Sequence, residues 1–145
     1  MNYFSNYFRK LSDNVSSINI KNLKKLGKKI IEIKKKNKKI LVFGNGGSIA
    51  IASHAAVDYA KNLNINISSY TDPSLLTCFS NDFKFENYIK EIIKLYAKRG
   101  DLIILISSSG TSKNMVNAIK YAKTSNLFVA TFTGFKKTNF LNKNG

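Results

Sequence analysis

Four apolar residues, Ile40-Leu41-Val42-Phe43, run directly into Gly44-Asn45-Gly46-Gly47-Ser48, and a helical pattern continues to Lys61. No other junction in the chain constrains its fold so strongly. A short apolar run bounded by turn residues reads as a buried strand. Glycines placed immediately after it allow a tight reversal into a helix. The start of that helix presents free N–H groups and the positive end of its dipole, so it is a ready seat for an anion.

The glycine turn does not fit the better-known loops. A dinucleotide fingerprint needs a third glycine where Ile49 stands, and an acid closing the next strand. A Walker loop needs Gly-Lys-Ser/Thr, and a hydrolase elbow needs G-x-S-x-G; neither occurs at this turn. No nucleotide cofactor is therefore expected. Two readings stand for the turn: a tight connection without a ligand, or a seat for a phosphate or sugar hydroxyl, with Ser48 as an added donor.

A second junction favours the ligand. Leu102-Ile103-Ile104-Leu105-Ile106 leads into Ser107-Ser108-Ser109-Gly110-Thr111-Ser112, and a helical stretch runs from Lys113 to Lys123. A plain N-cap needs one hydroxyl. Five of them around one glycine supply a dense donor set, suited to the three acceptor oxygens of a phosphomonoester. Further strands are expected over 62–69 and 127–133. The fold class is α/β, a doubly wound parallel sheet flanked by helices, with two helices before it. Both loops then lie at the carboxyl ends of parallel strands, where open α/β sheets bind ligands.

The remaining stretches fill in this frame. At 145 residues the chain reads as a single domain, with N-terminal helices over 1–39 and the sheet domain over 40–145. Tyr3, Phe4, Tyr7, Phe8, Leu11 and Val15 recur at helical spacing in residues 1–17, more aromatics than a small core needs. Between Lys21 and Lys39, Leu23, Leu26, Ile30 and Ile33 form one face of an amphipathic helix. Tyr88 to Lys98 repeats the pattern with Ile89, Ile92, Ile93 and Tyr96. Residues 135–145 show no clear element.

The formal net charge is +16, and half of the 24 basic residues precede Ile40. The lysines lie around the apolar face of a helix, with no nucleic-acid-binding motif and no interleaved aromatic platform. Nucleic acid is not the expected partner, and steering of anionic ligands is the milder consequence. The single cysteine, Cys78, excludes an internal disulfide and a zinc site built from cysteines. No apolar run approaches the ~20 residues of a membrane helix, and no secretory leader is evident, so a cytoplasmic setting is expected.

The only histidine, His54, lies four residues before Asp58, so the two share a helix face. Asp58 stands in an otherwise apolar run, where an acid needs a partner. Asn81-Asp82 reads either as an ordinary turn or as part of a site.

Gly44-Asn45-Gly46-Gly47-Ser48, Ser80-Asn81-Asp82-Phe83 and Ile106-Ser107-Ser108-Ser109-Gly110-Thr111-Ser112, in this order, resemble the sugar isomerase (SIS) domain family. Within it they are most similar to the phosphoheptose isomerases, which interconvert sedoheptulose 7-phosphate and a heptose 7-phosphate for surface lipopolysaccharide. The resemblance covers essentially the whole chain. It implies that Ser107, Ser108, Ser109 and Ser112 hold the phosphate, that Asn45, Gly46, Gly47 and Ser48 hold the sugar end, and that Asn81 and Asp82 border the cleft. It implies a histidine at the position of His54 and a glutamate base at that of Asp58; this chain has the shorter acid. In some members these two residues bind zinc, so one zinc ion per site on His54 and Asp58 is an expectation. A homotetramer with its N-terminal helices packed between subunits is also implied. The family fold carries a fifth strand and a long C-terminal helix with a second histidine. Their absence here leads us to expect a C-terminally truncated chain whose own activity is in question. The alternative is a non-catalytic member that binds sugar phosphates or associates with the replication initiator.

Overall fold

The computed structural model describes residues 2–136 and 138–145. Two helices open the chain, α1 (Tyr3–Ser16) and α2 (Ile20–Lys35). They are followed by β1 (Ile40–Gly44), α3 (Gly47–Leu63), β2 (Ile67–Ser69), α4 (Pro73–Phe83) and α5 (Tyr88–Tyr96). The last elements are β3 (Leu102–Ser107), α6 (Lys113–Thr124), β4 (Phe128–Thr133) and α7 (Phe140–Asn144). The strands form one parallel sheet in the order β2-β1-β3-β4. The expected doubly wound parallel sheet with flanking helices is what the chain adopts.

The apolar runs are continuous because both faces of the two central strands are covered. Successive side chains of a strand point to opposite faces. Leu41, Phe43, Ile103 and Leu105 pack with Tyr88, Ile89, Ile92, Met115 and Ile119 from α5 and α6. Ile40, Val42, Leu102 and Ile104 pack with Ile30 and Ile33 from α2 and Ala52 from α3. Each Ile or Leu buried in this way contributes roughly 1.5–3 kcal/mol relative to exposure.

At the amino end of the sheet, the buried Asp101 carboxylate joins two segments. Its Oδ1 accepts from the Lys39 N–H at 3.1 Å and its Oδ2 from the Lys98 N–H at 2.8 Å. This fixes the start of β1 beside the start of β3. The opposite, carboxyl end is left to the two loops.

Three details depart from the spacing of the sequence. β2 is shorter than the expected 62–69, because α3 continues to Leu63 and ends on Asn64 in the left-handed conformation at φ 48°. α4 runs through Asn81 and Asp82 and stops at Lys84, φ 67°, so the pair is helical and the turn, one of its two readings, does not form. Residues 135–145, expected to lack an element, contain α7. Its start is set by Asn139, whose side chain accepts from the Asn142 N–H at 2.9 Å, and its Leu141 is fully buried. α1 has no buried residue, and its aromatics Tyr3, Phe4, Tyr7 and Phe8 are exposed.

Asp101→Ala leaves the part-buried N–H groups of Lys39 and Lys98 without their acceptor. It is expected to destabilise the fold by about 3 kcal/mol, read from urea denaturation, with no change in the slope of the transition. A loss below ~1 kcal/mol would show that the carboxylate does not fix this end of the sheet.

Candidate functional site

The sheet reverses its winding between β1 and β3. From β1 the chain moves outward to β2, and from β3 it moves the other way to β4. Gly44, the last residue of β1, pairs with Ile106 in the register of β3. The glycine turn and the serine loop therefore leave the sheet side by side at the switch point, the usual ligand crevice of such folds.

The glycine turn is shaped by backbone approach. A Cβ on Gly44 would run into the backbone of Ser48 and Ile49, so only glycine lets α3 start so close to β1. Gly46 takes φ 52° and ψ −126°, a conformation that side chains rarely adopt. The Ser48 N–H donates to the Asn45 carbonyl and the Ile49 N–H to the Gly46 carbonyl, each at 2.9 Å. Among the described residues, the Gly46 and Gly47 N–H groups have no backbone partner. The Ser48 amide is thus spent within the turn, and its hydroxyl is what it can offer a ligand.

The serine loop is also partly self-supporting. The buried Ser107 hydroxyl accepts from the Gly110 N–H at 3.2 Å, and the Ser109 hydroxyl from the Thr111 N–H at 3.3 Å. Both hydroxyls keep their own O–H to donate. From outside, the Gly134 N–H donates to the Ser108 carbonyl and the Leu141 N–H to the Gly110 carbonyl. Ser112 occupies the N-cap of α6 but makes no side-chain capping bond.

Asn45 and Ser112 line one cleft of about 520 Å³, together with Lys84, Phe85, Glu86, Lys113 and Asn114. The Lys113 ammonium lies 3.7 Å from Glu86 at the cleft. Asn114 escapes notice in the sequence, where it reads as an ordinary first-turn residue. In the structure it is buried and hydrogen-bonded to Asn45, 69 positions away. Lys84, Phe85 and Glu86 were equally silent, and only the left-handed break after α4 brings them here. A second cavity of about 420 Å³ lies between α2 and β4, lined by Leu23, Leu26, Phe128 and Phe132 among others; neither loop contributes to it.

Of the twelve expected site residues only Asn45 and Ser112 line the cleft; Gly46, Gly47, Ser48, Ser107, Ser108 and Ser109 belong to the two loops beside it without lining it, and His54, Asp58, Asn81 and Asp82 lie away from it. Asn81 and Asp82 are exposed on the last turn of α4, where Asn81 Nδ2 donates to Asp82 Oδ1 at 3.0 Å. On α3, His54 Nε2 lies 3.3 Å from Asp58 Oδ2, with side chains 80% and 50% exposed. At the helical rise per residue, Asp58 stands about 16 Å along the axis from Gly47. A catalytic zinc ion takes three protein ligands. His54 and Asp58 supply two, and among the described residues no group of three or more His, Cys, Asp or Glu could hold a metal. The described residues do not by themselves complete a zinc site.

The sequence matches the family model for the SIS domain over residues 3–134. It is 33% identical over 131 residues to a phosphoheptose isomerase of Thermodesulfovibrio yellowstonii, covering 86% of this chain and 65% of that protein. It is 34% identical over 119 residues to a phosphoheptose isomerase of Fusobacterium nucleatum, covering 79% of this chain and 61% of that one. The chain thus spans under two thirds of the length of these relatives. A solved structure of phosphoheptose isomerase from Neisseria gonorrhoeae superposes with a TM-score of 0.84 at 27% identity, over 94% of this chain and 73% of that one.

The turn predicts unequal glycine effects. Gly44→Ala is expected to cost about 3 kcal/mol through backbone overlap, and Gly46→Ala about 1–2 kcal/mol through its torsions alone. Urea denaturation separates them, and a neutral Gly44→Ala would refute the close approach of α3 to β1.

Proposed function

The chain belongs to the SIS domain family, and from that premise we propose that its two loops bind a phosphorylated sugar for aldose–ketose isomerisation. The substrate of this reading is sedoheptulose 7-phosphate, converted to D-glycero-manno-heptose 7-phosphate through an enediol. The carrying observation is that two helix N-termini meet at the switch point with no side-chain bond from their N-cap residues, Gly46 and Ser112. Elsewhere, Asn2, Asn19, Asp72 and Asn139 cap α1, α2, α4 and α7 with their side chains. Asn87 of α5 is turned away, its amide donating to the Phe83 carbonyl. Uncapped N–H groups and a favourable dipole suit an anion.

In this reading the phosphate takes donors from Ser107, Ser108, Ser109 and Ser112, and the sugar end lies against Asn45, Gly46 and Ser48. Asp58 is the candidate carboxylate that moves the proton between adjacent carbons; because it lies outside the cleft of its own chain, this reading requires the assembly to bring it to the sugar held by a neighbouring copy. His54, at 3.3 Å from it, orients that carboxylate and donates a proton to the developing enediol oxygen. The relatives' names support the reaction class. The reading includes a homotetramer, and the exposed α1 aromatics support self-association, since a second copy would cover them. A cytoplasmic setting belongs to the same proposal, and among the described residues no helix is long and apolar enough to cross a membrane.

The alternative, a binding member without turnover, is separated by one experiment. In D2O with sedoheptulose 7-phosphate, the intact enzyme is expected to exchange solvent deuterium into the substrate. Asp58→Asn is expected to lower that exchange at least about 100-fold while sugar-phosphate affinity stays within about twofold. Undiminished exchange in the variant would remove Asp58 as the base. Binding by the unaltered intact enzyme without any exchange would favour the non-catalytic reading.

A further inference from the structure

The residues that join the two loops form a small polar cluster with a fully assignable set of hydrogen bonds. Asn114 Nδ2 donates to Asn45 Oδ1 at 2.8 Å, and Asn45 Nδ2 donates back to Asn114 Oδ1 at 3.0 Å. The Tyr88 hydroxyl donates to the same Asn45 Oδ1 at 3.3 Å. The Met115 N–H donates to Asn114 Oδ1 at 2.9 Å. Tyr88 and Asn114 are buried, whereas Asn45 is half-buried and lines the cleft. Burial pushes the Tyr88 phenol up, against a smaller downward pull from a hydrogen bond with Asn114, so the hydroxyl keeps its proton at neutral pH.

A side-chain amide has two acceptor positions on its oxygen and two N–H groups. Both acceptor positions of Asn45 Oδ1 are occupied, by Asn114 and Tyr88. One Asn45 N–H is occupied, by Asn114. A flipped Asn45 would set N–H against N–H and leave buried Asn114 without its acceptor, which low local dielectric makes costly. Asn45 is left with one N–H to offer the cleft and no free oxygen.

We propose that Asn114 and Tyr88 are positioning residues that lock Asn45 as a hydrogen-bond donor, so that the cleft reads an acceptor oxygen, a carbonyl or enediolate, at the sugar end of a phosphorylated ligand. The ligand class rests on the sugar-phosphate reading above; the lock itself rests only on the amide geometry. The same pair ties the turn after β1 to the first turn of α6, and so sets the spacing between the sugar end and the phosphate end of the cleft.

Two variants of the full chain test this. Asn114→Ala removes the reciprocal bonds, and Tyr88→Phe removes one hydroxyl while keeping the ring in the core. The first readout needs no ligand: hydrogen exchange of the Asn45 side-chain amide in 1H–15N spectra. It is expected to accelerate about tenfold in Asn114→Ala and about threefold in Tyr88→Phe, the loss of one or two net hydrogen bonds. The second readout compares sedoheptulose 7-phosphate with n-butyl phosphate, which has the phosphate but no sugar oxygens. Affinity for the sugar phosphate is expected to fall about tenfold in Asn114→Ala, with n-butyl phosphate within about twofold. Unchanged amide exchange in both variants overturns the lock. Equal loss of both ligands overturns the donor role, since it would mean a general collapse of the cleft. If the unaltered chain binds neither ligand, the sugar-phosphate reading fails, and the amide exchange alone decides whether the lock exists.

Discussion

The pairing of β1 with β3 is the constraint on which the rest of the molecule depends. These strands are hydrogen-bonded in parallel from Ile40 beside Leu102 to Gly44 beside Ile106. Their side chains supply both cores, four residues to each face. Because the sheet winds outward in opposite directions from this pair, the two loops that follow it have to emerge together. Asp101 holds the other end of the same pair through the Lys39 and Lys98 amides. The site is thus a consequence of core packing: what buries the apolar runs also places a glycine turn against a serine loop.

The charge of the chain matters less for the fold than its size suggests. On α2, Lys29 and Lys36 converge on Glu32 at 2.6 and 2.8 Å, and Lys29 also lies over the Phe128 ring at 3.5 Å. Hydrogen bonds from Lys29 and Lys36 hold the Glu32 carboxyl down at about 2. Glu32 thus offsets part of the charge of these two lysines within the chain. At the cleft, Lys84 and Lys113 face a single acid, Glu86, a balance that leaves room for an anionic ligand.

Much of the architecture could be read from local pattern. The apolar runs of β1 and β3, the glycines after Phe43 and the hydroxyls after Ile106 identified the sheet and the end at which the two loops meet. What stayed hidden depended on contacts between distant residues. Asn114 looks like any polar residue of a helix start until α6 brings it against Asn45. The helical state of Asn81 and Asp82 was masked because both residue types favour turns, and tertiary packing of α4 overrode that preference. α7 was missed because five residues show no periodicity; its signals were the Asn139 cap and one apolar residue, Leu141. The exposed contact of His54 with Asp58 follows from their spacing, but its distance from the glycine turn follows only from the length of α3.

The central claim is that the two loops at the switch point form one seat for a sugar phosphate. The most direct test is a titration of the 15N-labelled chain with sedoheptulose 7-phosphate, following backbone amides. The account predicts saturable shifts concentrated at Gly46, Gly47 and the segment from Ser107 to Asn114, with Lys39, Lys98 and Asp101 at the far end of the sheet unmoved. Shifts spread along the lysines of α2, or none at the two loops, would contradict it.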